Sequence, residues 1–406
     1  MLEVKVEQCA GIDVGKKIIE VCVLIGPANR KPAGEVRRFG SKVGDLEALR
    51  AWLKEKACTE VVMESTGSYG KPVFNIWEGH LQVILANPEQ VKALRGKKTD
   101  RTDCRWLAGL LRHGLVQPSF IPPRDIRELR DRTRRRRRLL QNGTQERNRV
   151  QKVLEDANVK IGNVLSDVFG MSGQAMLEAL LENKLNAEPV ADLARGSLRR
   201  KIPQIVEALE GHRMSDHRLL IRQSLKHMQF IEEMIEELDK QIHEKLAPYQ
   251  KQVELACTVP GIRSDAAAGI LAEIGMDMSE NGPFSSCHHL ASWAGGCPGN
   301  NSSAGKRKSG KIRKGNRWLK ATLRQTAWAG ANTKNSAFQF RYQRLKTRRG
   351  VKRATIAVAH AQLIALYWVL RSGVPYQQQR QDLEQQQRES LIRHHLHRLA
   401  QLGYTA

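Results

Sequence analysis

The sequence predicts an α/β N-terminal domain with a mixed sheet, a mostly helical middle and an α-rich C-terminal region. Three observations lead there. Strand and helix patterns alternate over about the first 115 residues. From Leu139 to Tyr249 the chain reads as almost wholly helical. From residue 253 Gly, Ser and Asn return among short helical stretches.

The N-terminal elements follow in order. Cys9 to Val14 reads as a buried strand and Ile18 to Ile25 as a second, with Gly15-Lys16-Lys17 at the turn. Glu35 to Phe39 is a short third strand. Gly44 to Lys56 carries Leu46, Leu49, Trp52 and Leu53 on one helical face. Glu60 to Met63 is a fourth strand, Gly70 to Gly79 a helix, and Leu81 to Ala86 a fifth strand. Pro88 opens a further helix, as proline does at a first helical position. The last helix of the domain runs from about Thr102 to His113, with Trp106, Leu107, Leu110 and Leu111 as its apolar stripe. Three strands followed by helix-strand-helix-strand-helix fits a ribonuclease-H-like mixed sheet. A dinucleotide-binding domain would need G-x-G-x-x-G after the first strand, and none is there.

Residues 124–138 read RDIRELRDRTRRRRR, preceded by Pro122-Pro123. This is a helix start whose five consecutive arginines, Arg134, Arg135, Arg136, Arg137 and Arg138, repel one another unless anions neutralise them. Leu219 to Leu246 repeats apolar residues at spacings of three and four, which suits either a helical bundle or a coiled-coil arm for self-association. VPGIRSDAAAGILAEIG resembles a helix-hairpin-helix, whose turn can offer N–H groups to phosphate. A Ser/Gly/Asn segment then mixes with Lys306, Arg307, Lys308, Lys311, Arg313, Lys314 and Arg317. The tail from Gln377 is rich in glutamine and arginine and carries no recognisable chemistry.

Composition limits the partners. Lys and Arg number 67 against 42 Asp and Glu, a formal charge of +25. An apolar fraction of 41% supports real cores, so a foldable chain this basic points to nucleic acid. A membrane is not expected, since no apolar run reaches about 18 residues and no signal-peptide core is seen. Seven scattered cysteines without a C-x-x-C point to free thiols in a reducing cytoplasm. Cys287-His288-His289 has no second ligand pair at zinc spacing.

The chemistry is expected of four acids. Asp13 sits in GIDVGKK, Glu64 closes the fourth strand, and Asp100 and Asp103 lie three apart at a helix start, hence on one face. In a ribonuclease-H topology the first and fourth strands are neighbours, so the four carboxylates converge. Convergent carboxylates repel, and divalent cations relieve that repulsion. Mg²⁺, or Mn²⁺ in its place, suits such hard oxygen ligands and leaves room for phosphate oxygens. Two such ions support in-line phosphodiester displacement. Actin-like ATPases also use G-I-D-x-G, but need a second glycine-rich phosphate loop and an adenosine motif, which are lacking.

The ordered motifs GIDVGKK, MESTGSYG, NPEQVKALRGKKTDRTD, TVPGIRSDAAAGILAEIG and ASWAGGCPGNNSSAGKRKSGKIRKGNRWLK, with WVLRSGVPY near Pro375, resemble the DEDD-type insertion-sequence transposases, the bridge-RNA-guided serine recombinases. The resemblance implies a RuvC-like nuclease domain at 1–125, a basic helix and helical or coiled-coil region at 126–250, a transposase domain at 251–376 and a polar tail at 377–406. It matches Asp13, Glu64, Asp100 and Asp103 to the family's four acids. In its Gly-x-x-Pro-x-x-x-x-Ser segment it implies a catalytic serine at Ser303, five residues after Pro298, although the chain continues Ala304-Gly305 rather than directly with glycine. It further implies donor and target DNA, a non-coding guide RNA, and dimers pairing into a tetramer. The basic segments at 124–138 and 306–317 would contact phosphates, which position but do not specify sequence. The alternative is a structure-selective nuclease of the junction-resolvase kind that uses water as nucleophile.

Overall fold

The computed structural model describes residues 3–64, 69–86, 100–182, 186–210, 217–298, 301–303, 306–309 and 311–376, with isolated positions between 388 and 398. The expected helix opening at Pro88 and most of the tail lie outside the described residues. The chain divides into two compact units, Met1–Ile121 and Pro122–Ala406.

The first unit is a five-stranded mixed sheet in the order β3-β2-β1-β4-β5. Its strands are β1 (Gln8–Val14), β2 (Ile18–Ile25), β3 (Ala33–Gly40), β4 (Glu60–Glu64) and β5 (Gln82–Ala86). β1, β2 and β3 form an antiparallel meander, and β1, β4 and β5 run parallel. Alternation along each strand sends one set of side chains to each face. Ala10, Ile12, Ile19, Val21, Val61 and Met63 share a core with Leu46, Leu49, Trp52 and Leu53 of α1 (Val43–Glu55) and Val73 and Trp77 of α2 (Gly70–Trp77). Cys9, Cys22, Leu24 and Val62 turn the other way, onto Cys104, Leu107, Ala108 and Leu111 of α3 (Asp100–Arg112). A sheet covered on both faces explains why β1, β2 and β4 are nearly continuous apolar runs.

The second unit, among its described residues, is helical apart from one hairpin. α4 (Arg124–Asp156) and α8 (His217–Leu246) are its longest elements. They pair antiparallel, because Glu128 meets Lys245, Arg132 meets Gln241 and Glu146 meets His227. The intervening stretch is less continuous than expected. It breaks into α5 (Met171–Leu181), α6 (Ala187–Ala191), α7 (Ile202–Leu209) and short 3₁₀ turns, packed on a core of their own with Val150 and Leu154. Gly162, Gly170, Gly196 and the prolines Pro189 and Pro203 account for the breaks.

Next come α9 (Gln250–Cys257), α10 (Ser264–Ile274), α11 (Cys287–Trp293), strands β6 (Asn301–Ser303) and β7 (Lys306–Ser309), then α12 (Arg317–Asn332), α13 (Ala337–Arg349) and α14 (Val351–Ser372). The Pro-Gly-Ile turn between α9 and α10 faces inward. Gly261 has φ +90°, and a Cβ there would stand 2.4 Å from both the Thr326 carbonyl oxygen and the Gly330 nitrogen of α12. The Pro260 carbonyl accepts from Gln362 at 2.7 Å. α14 is long and apolar enough by composition to cross a membrane. Here it buries Ala354, Val358, Leu363, Leu366 and Tyr367 in the protein core.

Candidate active site

Strand register brings two of the predicted acids together. β1 and β4 pair in parallel up to Ile12 opposite Met63, and Asp13 and Glu64 are the next residues along. By alternation Asp13 follows Cys9 and Gly11, and Glu64 follows Val62, onto the α3 face. Both are half-buried.

α3 runs antiparallel to β1 across that face. The Lys5 N–H donates to the Arg112 carbonyl at 2.9 Å, and the Cys9 thiol to the Ala108 carbonyl at 3.4 Å. Gly11 lies closest: a Cβ there would stand 2.1 Å from the Cys104 carbonyl oxygen and 2.4 Å from the Ala108 nitrogen. Two further strand residues advance roughly 7 Å, or about four residues of helix. Asp13 is therefore level with the first turn of α3, which carries Asp100 and Asp103. Asp103 is half-buried, and the Asp100 side chain lies outside the described residues. Among the described residues, no three His, Cys, Asp or Glu side chains are close enough to enclose a metal ion.

Three residues that sequence reasoning missed hold this region or its counterpart together. Arg112, 2% exposed, ends α3 and donates to four carbonyls. Its acceptors are Glu7 at 2.8 Å, Gly26 and Pro27 at 2.9 Å each, and Val6 at 3.5 Å. Glu20 on β2 lies directly across from Asp13. Its Oε1 accepts from Arg38 at 2.6 Å, while Oε2 is buried without a hydrogen-bond partner. The nearby Cys104 thiol is raised, first by its hydrogen bond with Cys22, then by burial, with Glu20 contributing. Burial pushes the Cys9 and Cys58 thiols up to about 12 and about 11, as suits inert core cysteines. All seven cysteines are free.

The third is Glu273 of α10, 2% exposed. It accepts both Arg134 nitrogens at 2.6 and 2.8 Å, and Asn316 as well. Arg130 stands 3.4 Å away, and burial brings its guanidinium down to about 10. Arg136 pairs with Asp239 and Asp265, and Arg137 donates to Thr322 at 2.7 Å and Gln325 at 3.3 Å. The neutralisation that the arginine run demands is thus supplied for Arg134 and Arg136 by carboxylates of α8 and α10. Arg135 and Arg138 are exposed, and Arg138 lies 5.3 Å over the Trp318 ring, which Arg317 covers at 4.9 Å.

Ser303 belongs to the β6–β7 hairpin, where it pairs with Lys306, and Ser302 pairs with Arg307. Residues 304–305 and the side chains of Ser303, Arg307 and Lys308 lie outside the description; Lys306 is exposed. The hairpin's base is closed by the bridge Pro298 to Ile312 and by the Arg313 N–H donating to Cys297 at 3.3 Å. Lys320 of α12 donates to the Arg313 carbonyl. Lys311, Arg313 and Lys314 are exposed along the return. His289 and Cys287 belong to α11, whose N-cap Ser286 accepts from the His289 N–H at 3.1 Å.

Two family models match this chain. One, for the DEDD transposase domain of the IS110 type and described as a transposase, matches residues 10–159. The other, described as the transposase IS116/IS110/IS902 family, matches residues 253–343. Together they span more than half of the chain and contain Asp13, Glu64, Asp100, Asp103 and Ser303. No curated protein matches it.

Proposed function

Because the chain belongs to the IS116/IS110/IS902 family of transposases, enzymes that act on DNA, we propose that it cuts and rejoins strands through Ser303, with Mg²⁺ or Mn²⁺ held by Asp13, Glu64, Asp100 and Asp103. The observation that carries this reading is the junction of β1, β4 and α3, where Asp13 and Glu64 end adjacent parallel strands beside the first turn of α3. The mixed sheet order supports a ribonuclease-H-like, RuvC-like domain.

The donor set fits a hard divalent cation: it is all carboxylate, on a face where Gly11 lets α3 approach to backbone distance and Glu20 keeps one oxygen unpaired. Such a cation would polarise the scissile phosphate and stabilise developing negative charge. The chain's own residues do the rest. The Ser303 hydroxyl gives up its proton to a base as Oγ bonds to phosphorus, the strand's P–O bond breaks, and the departing oxygen is protonated. The resulting phosphoserine ester keeps the bond energy. A second strand's hydroxyl then attacks that phosphorus and releases Ser303 with its proton restored, so no external energy source is needed. The acids and the serine belong to different compact units. Sharing of one site between protomers of a dimer, two of which join in a tetramer, is part of the same reading. Base pairing of a bridge RNA would supply sequence choice that phosphate contacts lack.

Ser303→Ala is expected to lower strand exchange on the order of 10³-fold or more, in the range for a lost nucleophile. Cleavage that survives in Ser303→Ala would favour the water-using resolvase. Asp13→Asn and Glu64→Gln should abolish both cutting and joining; intact cutting in both would end the carboxylate reading. Sequencing the RNA that copurifies with the full chain tests guidance separately.

A further inference from the structure

β2 is apolar except at Glu20. Its neighbours Ile19 and Val21 enter the core with α1, while Glu20 shares the α3 face with Cys22 and Leu24. Directly opposite residues of an antiparallel pair have Cβ atoms roughly 4.5–5.5 Å apart. Asp13 and Glu20 are such a pair, so two carboxylates stand side by side at the edge of the four-acid site.

The Glu20 side chain is 7% exposed, and its ion-pair partner, Arg38 of β3, is 60% exposed. A pair with one partner largely in water gives little stabilisation, whereas burying a carboxylate costs several kcal/mol unless its oxygens are satisfied. Arg38 satisfies only Oε1; Oε2 has no hydrogen-bond partner. A structural ion pair therefore leaves half of this carboxylate unexplained, and the placement beside Asp13 makes the mismatch worse by like-charge repulsion.

We propose that Glu20 is a fifth carboxylate of the cation site, a positioning residue whose free Oε2 accepts from water bound to the ion that Asp13 helps to hold. Arg38 holds the other oxygen and so orients Glu20. The added negative charge strengthens the field at the ion and fixes the orientation of its outer shell, much as carboxylates behind metal ligands do elsewhere.

This inference rests on the carboxylate-site reading, and one experiment separates the two. Mn²⁺ is titrated into the full-length protein, and free Mn²⁺ is followed by electron paramagnetic resonance, for wild type, Asp13→Asn, Glu20→Gln and Glu20→Asp, with thermal melts of each metal-free protein. Asp13→Asn should lose the tight site. Glu20→Gln should bind Mn²⁺ about ten-fold more weakly, while its metal-free melting temperature stays level or rises because a buried charge is gone. Glu20→Asp, which keeps the charge, should lie between Glu20→Gln and wild type, and it keeps the test available if Glu20→Gln fails to fold. Wild-type affinity in Glu20→Gln beside a lost site in Asp13→Asn overturns the role of Glu20 alone. Identical binding in wild type and Asp13→Asn overturns the site reading and this inference with it.

Discussion

Gly11 is the residue on which the candidate site's geometry turns. A methyl group at this position meets backbone atoms of Cys104 and Ala108, which cannot rotate away as a side-chain tip could. Gly11→Ala must push α3 off the sheet, and α3 carries Asp100 and Asp103. Overpacking of this kind costs roughly 1–3 kcal/mol. Chemical denaturation should show that loss, and Mn²⁺ affinity should fall further than for a core substitution of equal cost on the α1 face, such as Ile12→Val. Arg112 guards the other end of the same helix. Arg112→Leu strands four carbonyls of the β1 and β2 ends, and a loss of about 3 kcal/mol is expected, since each unsatisfied buried acceptor costs about 1–3 kcal/mol before relaxation. That Asp13 and Glu64 end strands and that Asp100 and Asp103 open a helix was legible in the sequence, from strand and helix periods. The burial of Glu20 and Arg112 was not. A single glutamate in an apolar strand and a single arginine closing a helix read as solvent-facing, and only the pairing register and the packing of α3 bury them.

At the scale of elements, helix and strand periods placed nearly every segment of the first unit, while the pairing register is seen only in the structure. β3 and α3 each extend a little beyond expectation, because pairing and packing recruit end residues of weak propensity. The arginine helix shows what periodicity hides. That α4 starts as a helix was readable from Pro122-Pro123; that Arg134 and Arg136 turn inward was not, because Asp239, Asp265 and Glu273 lie more than 100 residues further along the chain. Glu273 itself sits among alanines in a small-residue helix and gave no signal. Removing one partner from a buried pair exposes the full desolvation cost of the other. Glu273→Gln is therefore expected to destabilise the second unit by about 3–5 kcal/mol, as measured by chemical denaturation. Arg135→Ala, on the exposed face of the same helix, should change stability by less than about 0.5 kcal/mol. Equal effects of the two would show that the inward pairing does not hold in solution.

The whole molecule carries +25, and α4 shows that a count of arginines overstates what can reach DNA. Guanidiniums already paired with carboxylates bring no net charge to a phosphate, so Arg134 and Arg136 belong to folding. Arg135 and Arg138 on α4, and Lys306 and Arg313 along the hairpin that holds Ser303, are exposed, where they can meet a phosphate and displace its counterions. For duplex DNA, every phosphate that no longer meets a cationic side chain should reduce the slope of log K against log salt by about 0.9. Replacing Arg135 and Arg138 together by alanine should then flatten that slope by up to about 1.8, weaken binding similarly for all sequences, and lower stability by no more than the about 0.5–1 kcal/mol of the Arg138 contact with Trp318. Arg136→Ala should do the reverse, lowering stability while leaving the slope in place. Binding isotherms on a duplex at several salt concentrations, alongside denaturation of each variant, separate the two classes. A slope unaffected by the Arg135 and Arg138 replacements would move the DNA path off α4 and onto the hairpin and its flanks.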